Sequence, residues 1–173
     1  MKKSLFITFC VTLLFFSGCE RDDICPDALQ TTPNLLIEFY DNENPTQQKS
    51  VQDLNAFTNI GVNVPTTVFD QVQNSTSISL PLQTDQNTTS FKLTLNANAD
   101  SESEFEPNID TLTISYGVDE IYVNRACGYK VQFIEFDASY RQEESGNNWI
   151  DRIQVQQPNN IKNEQNAHLY IYF

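Results

Sequence analysis

The chain has 173 residues, with 23 acids against ten bases and a net charge of −13. That balance repels nucleic acid and anionic headgroups, and so excludes nucleic-acid binding and a polybasic membrane patch. Charge of this size can also keep a chain unfolded, but 12 Phe, seven Tyr and alternating runs of Val, Ile and Leu supply enough apolar surface for a packed core.

The first stretch has the plan of an export signal. Lys2 and Lys3 are basic, Leu5 to Phe16 is apolar apart from Thr8 and Thr12, and Phe16-Ser17-Gly18 leads into Cys19. The apolar run is too short to span ~30 Å of hydrocarbon. Small residues directly before a Cys resemble the lipobox of bacterial lipoproteins, although Phe16 stands where Leu is most common. The resemblance implies cleavage after Gly18 and a diacylglycerol on the Cys19 sulfur, so that the membrane is reached through an N-terminal lipid. Loss of residues 1–18 removes two lysines and leaves eight bases against 23 acids, a charge of −15 on the remaining 155 residues. That length suits one domain. The expected organisation is 1–18 signal peptide, 19–33 lipidated end and short tether, and 34–173 a single domain.

Cys10 leaves with the signal and Cys19 is taken by lipid. Cys25 and Cys127 remain, and an exported chain meets an oxidising compartment. Two cysteines make one bridge; two free thiols are the other reading. A bridge would fix the start of the domain close to the lipid, which favours a short-range partner in the membrane over a far-reaching adhesin. Glu20-Arg21-Asp22-Asp23 resembles the acidic signal that sends some Bacteroidota lipoproteins to the cell surface. A solvated linker has the same composition, and the choice between periplasmic and cell-surface face stays open.

Leu35, Ile37 and Phe39 alternate with Glu38 and Tyr40, a strand of period two. Val51 to Phe69 is irregular: Val51, Leu54 and Phe57 fit a helical turn, while Phe57 to Val64 suits a broken strand. Ile78, Leu80 and Leu82 form a strand near Pro81, and Phe91, Leu93 and Leu95 another, with a turn at 85–87; the two are expected to pair as a hairpin. Leu112, Ile114 and Tyr116 precede an expected turn at Gly117 to Asp119, and Ile121 and Val123 follow it. Cys127-Gly128 breaks the ladder. Val131 and Phe133 face one way and Ile134 and Phe136 the other, the mark of a bulge or of a strand buried on both faces. Ile153 and Val155 form a strand ending near Pro158, and Leu169, Ile171 and Phe173 the last, with His168, Tyr170 and Tyr172 opposite. These elements predict an all-β fold, a single antiparallel β-sandwich of Ig-like or Greek-key type with seven to nine strands.

The stretch Asp119-Glu120-Ile121-Tyr122-Val123-Asn124-Arg125-Ala126-Cys127-Gly128-Tyr129-Lys130 resembles an uncharacterised family of small Bacteroidota outer-membrane lipoproteins. So do the Cys19…Cys25 spacing, Thr31-Thr32-Pro33-Asn34-Leu35 and Glu38-Phe39-Tyr40-Asp41. The resemblance covers most of the mature chain. It implies an outer-membrane location and a β-barrel protein as companion, and it carries no catalytic residues.

Chemistry has few footholds. His168 is the one histidine, no Gly-x-Ser-x-Gly elbow or phosphate-binding glycine loop is present, and there are five glycines in all. A glycosidase needs two carboxylates, but 23 acids nominate no pair. Asn96, Asn98, Asp100 and Glu102, and Asp41-Asn42-Glu43-Asn44, offer oxygens for calcium without the Gly and distal Glu of an EF-hand loop. No metal or cofactor is expected. Trp149, Tyr170 and Tyr172 are candidates for contact with a glycan or a partner, since aromatic faces stack on sugars and Tyr is enriched at interfaces. Trp149 also suits a core position. Asp110-Thr111-Leu112 resembles the O-glycosylation sequon of exported Bacteroidota proteins, with Thr111 as acceptor. The expected function is non-enzymatic binding of an envelope component by a lipid-anchored domain, with a surface glycan-binding module as the alternative.

Overall fold

The structure, a computed structural model, describes residues 25–26, 32–58, 66–70, 74–98, 105–141 and 147–173. The export stretch and Cys19 lie outside the described residues. The chain divides into two compact units. One takes residues 32–121 and 131–173; the other, among described residues, is Cys25, Pro26 and 122–130.

The larger unit is an all-β sandwich with no helix among its described residues. One sheet has four strands in the order β4 (Ser77–Leu80), β1 (Leu35–Tyr40), β9 (Leu169–Tyr172), β8 (Arg152–Val155). The other has five, in the order β3 (Thr66–Asp70), β2 (Asn55–Thr58), β5 (Thr88–Leu95), β6 (Asn108–Asn124), β7 (Gly128–Tyr140). β1 alternates buried and half-buried residues throughout, as its sequence dictates. Leu35, Ile37, Phe39, Leu80, Leu169 and Ile171 of the first sheet share one core with Phe91, Leu93, Leu112, Ile114, Phe133 and Phe136 of the second. Each such side chain contributes ~1.5–3 kcal/mol on leaving water.

Four expectations change. The pair around Pro81 is not a hairpin: β4 pairs with β1 and β5 with β2 and β6, so residues 81–87 carry the chain from one sheet to the other. Proline at 81 cannot donate to a ladder and ends β4 at Leu80. No turn forms at Gly117, because β6 runs unbroken from Asn108 to Asn124. A Cβ at Gly117 would stand 3.0 Å from Ile134 Cγ1, so the glycine serves close strand packing instead. Val51 to Leu54 is a turn, with Asp53 at φ 43°, and no helix forms there. Finally, the sandwich is mixed. β9 runs parallel to β1, from Ile37 opposite Leu169 to Tyr40 opposite Tyr172. A parallel neighbour needs a long connection, and here nearly the whole domain lies between the two strands.

β7 carries its bulge at Glu135, at φ 50°, which lets both Phe133 and Phe136 point inward. The segment 159–161 closes against this strand. Phe133 N–H donates to Ile161 O at 3.1 Å, Phe136 N–H to Asn159 O at 3.0 Å, and Glu135 N–H to Asn160 Oδ1 at 3.0 Å.

Candidate functional site

Because Leu35, Ile37 and Phe39 point into the core, Glu38 and Tyr40 stand on the outer face of the four-stranded sheet. The register lines up Glu38, Tyr170 and Gln154 in one row across β1, β9 and β8, and Tyr40, Tyr172 and Arg152 in another, with the β9 tyrosine in the middle of each. Three tyrosines thus meet across β1 and β9. The Tyr40 ring lies 4.8 Å from that of Tyr170 and 5.7 Å from that of Tyr172. Arg152 stacks on Tyr172 with its guanidinium carbon 3.3 Å from the ring centre. Tyr40 donates to Glu38 Oε2 at 2.8 Å, and Tyr172 to Gln154 Oε1 at 3.1 Å. The bond to Glu38, with burial second, pushes the Tyr40 phenol up from 10.0 to about 12. The surface is therefore aromatic in the middle, ringed by a cation, a carboxylate and an amide. Tyr170 is half-buried. Tyr172 is only 5% exposed, because the Arg152 plane and the Tyr40 ring cover it.

Trp149 is not on this surface. It is 6% exposed, tilted against Phe39 at 6.3 Å and edge-on to Phe173 at 5.5 Å, with its indole N–H donating to Leu93 O at 3.2 Å. The reading of Trp149 as a glycan platform is corrected: its ring joins the core and its single donor is already used. The neighbouring backbone is held by Asp110, 1% exposed, whose carboxylate accepts from Asn148 Nδ2 at 2.7 Å and Ile150 N–H at 2.8 Å. Thr111 follows it in β6, an interior strand of its sheet, and its side chain is half-buried. Thr111 lines a shallow cavity of about 330 Å³ with Phe57, Ser90 and Lys92.

His168 also changes role. It is 8% exposed rather than on a solvent face. Nδ1 accepts from Leu36 N–H at 2.9 Å, so the ring proton sits on Nε2, which donates to Asn163 O at 2.9 Å. Burial holds its pKa below 6.5. Both nitrogens are engaged in joining β1 to the 163–168 segment, and a second cavity of about 200 Å³ beside it is lined mostly by amides such as Gln156, Asn160 and Asn166. Among the described residues no group of three His, Cys, Asp or Glu could hold a metal. The calcium candidates Asp100 and Glu102 lie outside the described residues. Asp41 instead caps its own turn, accepting from Glu43 N–H at 2.7 Å and Asn44 N–H at 2.9 Å, which lowers its pKa.

A family model described as a family of unknown function, DUF6452, matches residues 57–173. The chain belongs to the DUF6452 family. The DUF6452 match takes in β3 to β9 with Tyr170, Tyr172 and Arg152, but not β1, which supplies Tyr40 and Glu38. No curated protein and no solved structure matches the chain.

The smaller unit contains the bridge. Cys25 and Cys127 form a disulfide with their Cα atoms 4.9 Å apart, across 102 positions of sequence. Cys127 lies in the turn between β6 and β7, where its N–H donates to Asn124 Oδ1 at 2.7 Å and Gly128 takes φ 69°. That left-handed angle is one glycine adopts without cost. Tyr122 and Tyr129 flank the turn, 60% and 69% exposed, with ring centres 5.4 Å apart. The DUF6452 segment includes Cys127 but not Cys25. Sequence reasoning singled out this turn for its cysteine and Tyr122 as an exposed aromatic, but did not pair Tyr122 with Tyr129, although the two bracket the cysteine at short range.

Proposed function

We propose that the chain is a non-enzymatic outer-membrane lipoprotein whose sandwich binds another envelope protein, with a β-barrel protein as the partner. The address rests on the Lys2–Cys19 signature in the sequence. The binding role rests on the Tyr40–Tyr170–Tyr172 cluster with its stacked Arg152, an aromatic centre and polar rim of the composition enriched at protein interfaces. The groups that catalysis draws on have other work: His168 uses both nitrogens and Asp110 both oxygens in holding loops. A glycan fits this surface less well, because Trp149 is buried and Arg152 already occupies the face of Tyr172.

Two measurements test the reading. A fatty-acid analogue fed to cells is expected to label the wild-type protein and not Cys19→Ala; label that persists in Cys19→Ala refutes the lipid site. A photo-crosslinking phenylalanine analogue at Tyr170 is expected to capture an outer-membrane β-barrel protein, and the same probe at Ser90 on the other sheet is not. Equal capture from both positions, or none from Tyr170, refutes the aromatic face as the binding surface.

A further inference from the structure

We infer that the β6–β7 turn is a membrane-contact element, with Tyr122 and Tyr129 seated in the headgroup layer of the bilayer that holds the Cys19 lipid. The inference rests on the lipoprotein reading above and on four observations within the smaller unit. First, the two tyrosines are among the most exposed large side chains described, at 60% and 69%, and their rings touch, giving one amphipathic patch rather than two scattered residues. Tyrosine is enriched at the membrane–water interface, where its ring meets acyl carbons and its hydroxyl stays wet. Second, the Cys25–Cys127 bridge fixes this turn to a point six residues after the lipidated position. Six residues extend to at most ~20–22 Å, about half the thickness of a bilayer with its headgroups. The turn is thus held at the surface whether or not it has affinity of its own, and the tether raises the effective concentration of lipid around it. Third, residues 122–130 contain Arg125 and Lys130 and no acid, in a mature chain of charge −15. That is the sign needed beside lipid phosphate, and the remainder of the chain lacks it. Fourth, a Cβ placed at Gly128 would meet no atom of the described residues within 4 Å, so among them nothing packs on the turn at this point.

The two acyl chains of a diacylglycerol on Cys19 already retain the protein on the membrane. In this reading the tyrosine pair sets the orientation of the tethered turn on that membrane.

The test uses the full-length lipidated protein with Tyr129→Trp, reconstituted into phosphatidylethanolamine/phosphatidylglycerol vesicles with brominated acyl chains. Buried Trp149 gives the same background in every variant, and wild-type emission is subtracted. The added indole is expected to emit at shorter wavelength than in buffer and to be quenched by the brominated lipid. Reduction of the disulfide is expected to diminish that quenching. Fatty-acid labelling of Cys19 is measured on the same preparation. Labelled protein with a water-like, unquenched indole overturns the membrane contact and leaves the lipoprotein reading standing; unlabelled protein overturns both. An indole unquenched by lipid that shifts only when envelope proteins are added marks a protein-binding turn and also overturns the inference.

Discussion

Replacing His168 probes how the fold is fastened. The imidazole links Leu36 N–H, 2.9 Å from Nδ1, to Asn163 O, 2.9 Å from Nε2. An isolated hydrogen bond is worth ~1 kcal/mol net, and a buried donor left without a partner costs ~1–3 kcal/mol. His168→Ala deletes both bonds, strands the Leu36 amide and opens space under an 8%-exposed side chain, so the loss is expected at ~3–4 kcal/mol. Burial lowers the folded pKa below 6.5, so the unfolded state binds the proton more readily. The stabilisation is therefore complete above pH 6.5 and is lost as pH falls from there through the folded pKa. Protonation would put a hydrogen on Nδ1, facing the Leu36 donor. Urea unfolding of wild type and His168→Gln at pH 7.5 and pH 5 separates this from the titration of the 23 acids, which both proteins share. Wild type is expected to lose more stability than the variant between the two conditions. Equal losses would refute the pinned neutral imidazole.

Trp149→Ala is expected to cost ~3–5 kcal/mol in urea unfolding and Trp149→Phe, which keeps the ring but loses the bond to Leu93 O, ~1–2 kcal/mol; a fully stable Trp149→Ala would contradict core placement. Reduction of Cys25–Cys127 releases a constraint over 102 positions, worth up to ~4–5 kcal/mol in the chain-entropy account; a thermal melt with and without reductant reads it, and equal gel mobility under both conditions would refute the bridge. In an ultraviolet titration, the difference between wild type and Tyr40→Phe is expected to show a phenol ionising near 12 rather than 10.0. Because that folded pKa is raised, its contribution to stability is complete below pH 10 and declines as pH rises towards 12. Glu38→Gln removes the largest cause and is expected to return the transition towards 10.

Period-two alternation marked β1, β5 and β9 because each has one face in the core, and side chains on a strand report burial directly. Partner choice left no such trace. The runs at 78–82 and 91–95 are near in sequence and alternate cleanly, yet they enter different sheets, since alternation sets which side faces inward and not which neighbour is bonded. The parallel β1–β9 pair escaped for the same reason. Gly117 was ambiguous in kind: glycine serves turns and close packing alike, and only the approach of Ile134 decides between them. The bulge at Glu135 was legible as a change of phase between Phe133 and Phe136. In the candidate site, alternation placed Tyr170 and Tyr172 outward, but the cover over Tyr172 comes from Arg152, 20 positions away and on another strand. Trp149 was the opposite case, a loop residue drawn inward by Phe39, Phe173 and the Leu93 carbonyl.

The polar groups turned inward share one task. Asp110 fastens the 148–150 segment to β6, His168 fastens the 163–168 segment to β1, and Trp149 reaches back to β5. Tyr116 donates to Gln83 O at 2.8 Å, tying the 81–87 crossing to the five-stranded sheet. Each joins segments distant in sequence, and each sits where a connection leaves or meets a sheet. An all-β sandwich has many such connections, and their backbone groups need partners once water is excluded. Enclosing its reactive side chains for this purpose leaves the fold with an outer face of tyrosines, arginine, glutamate and glutamine in fixed geometry. Such a face is already ordered before a partner arrives, so little rotamer entropy remains to be lost on contact. Rigid aromatic anchors on a fastened sheet suit recognition, and for that reason the proposed binding role falls on β1, β9 and β8 rather than on the cavities at Thr111 and His168.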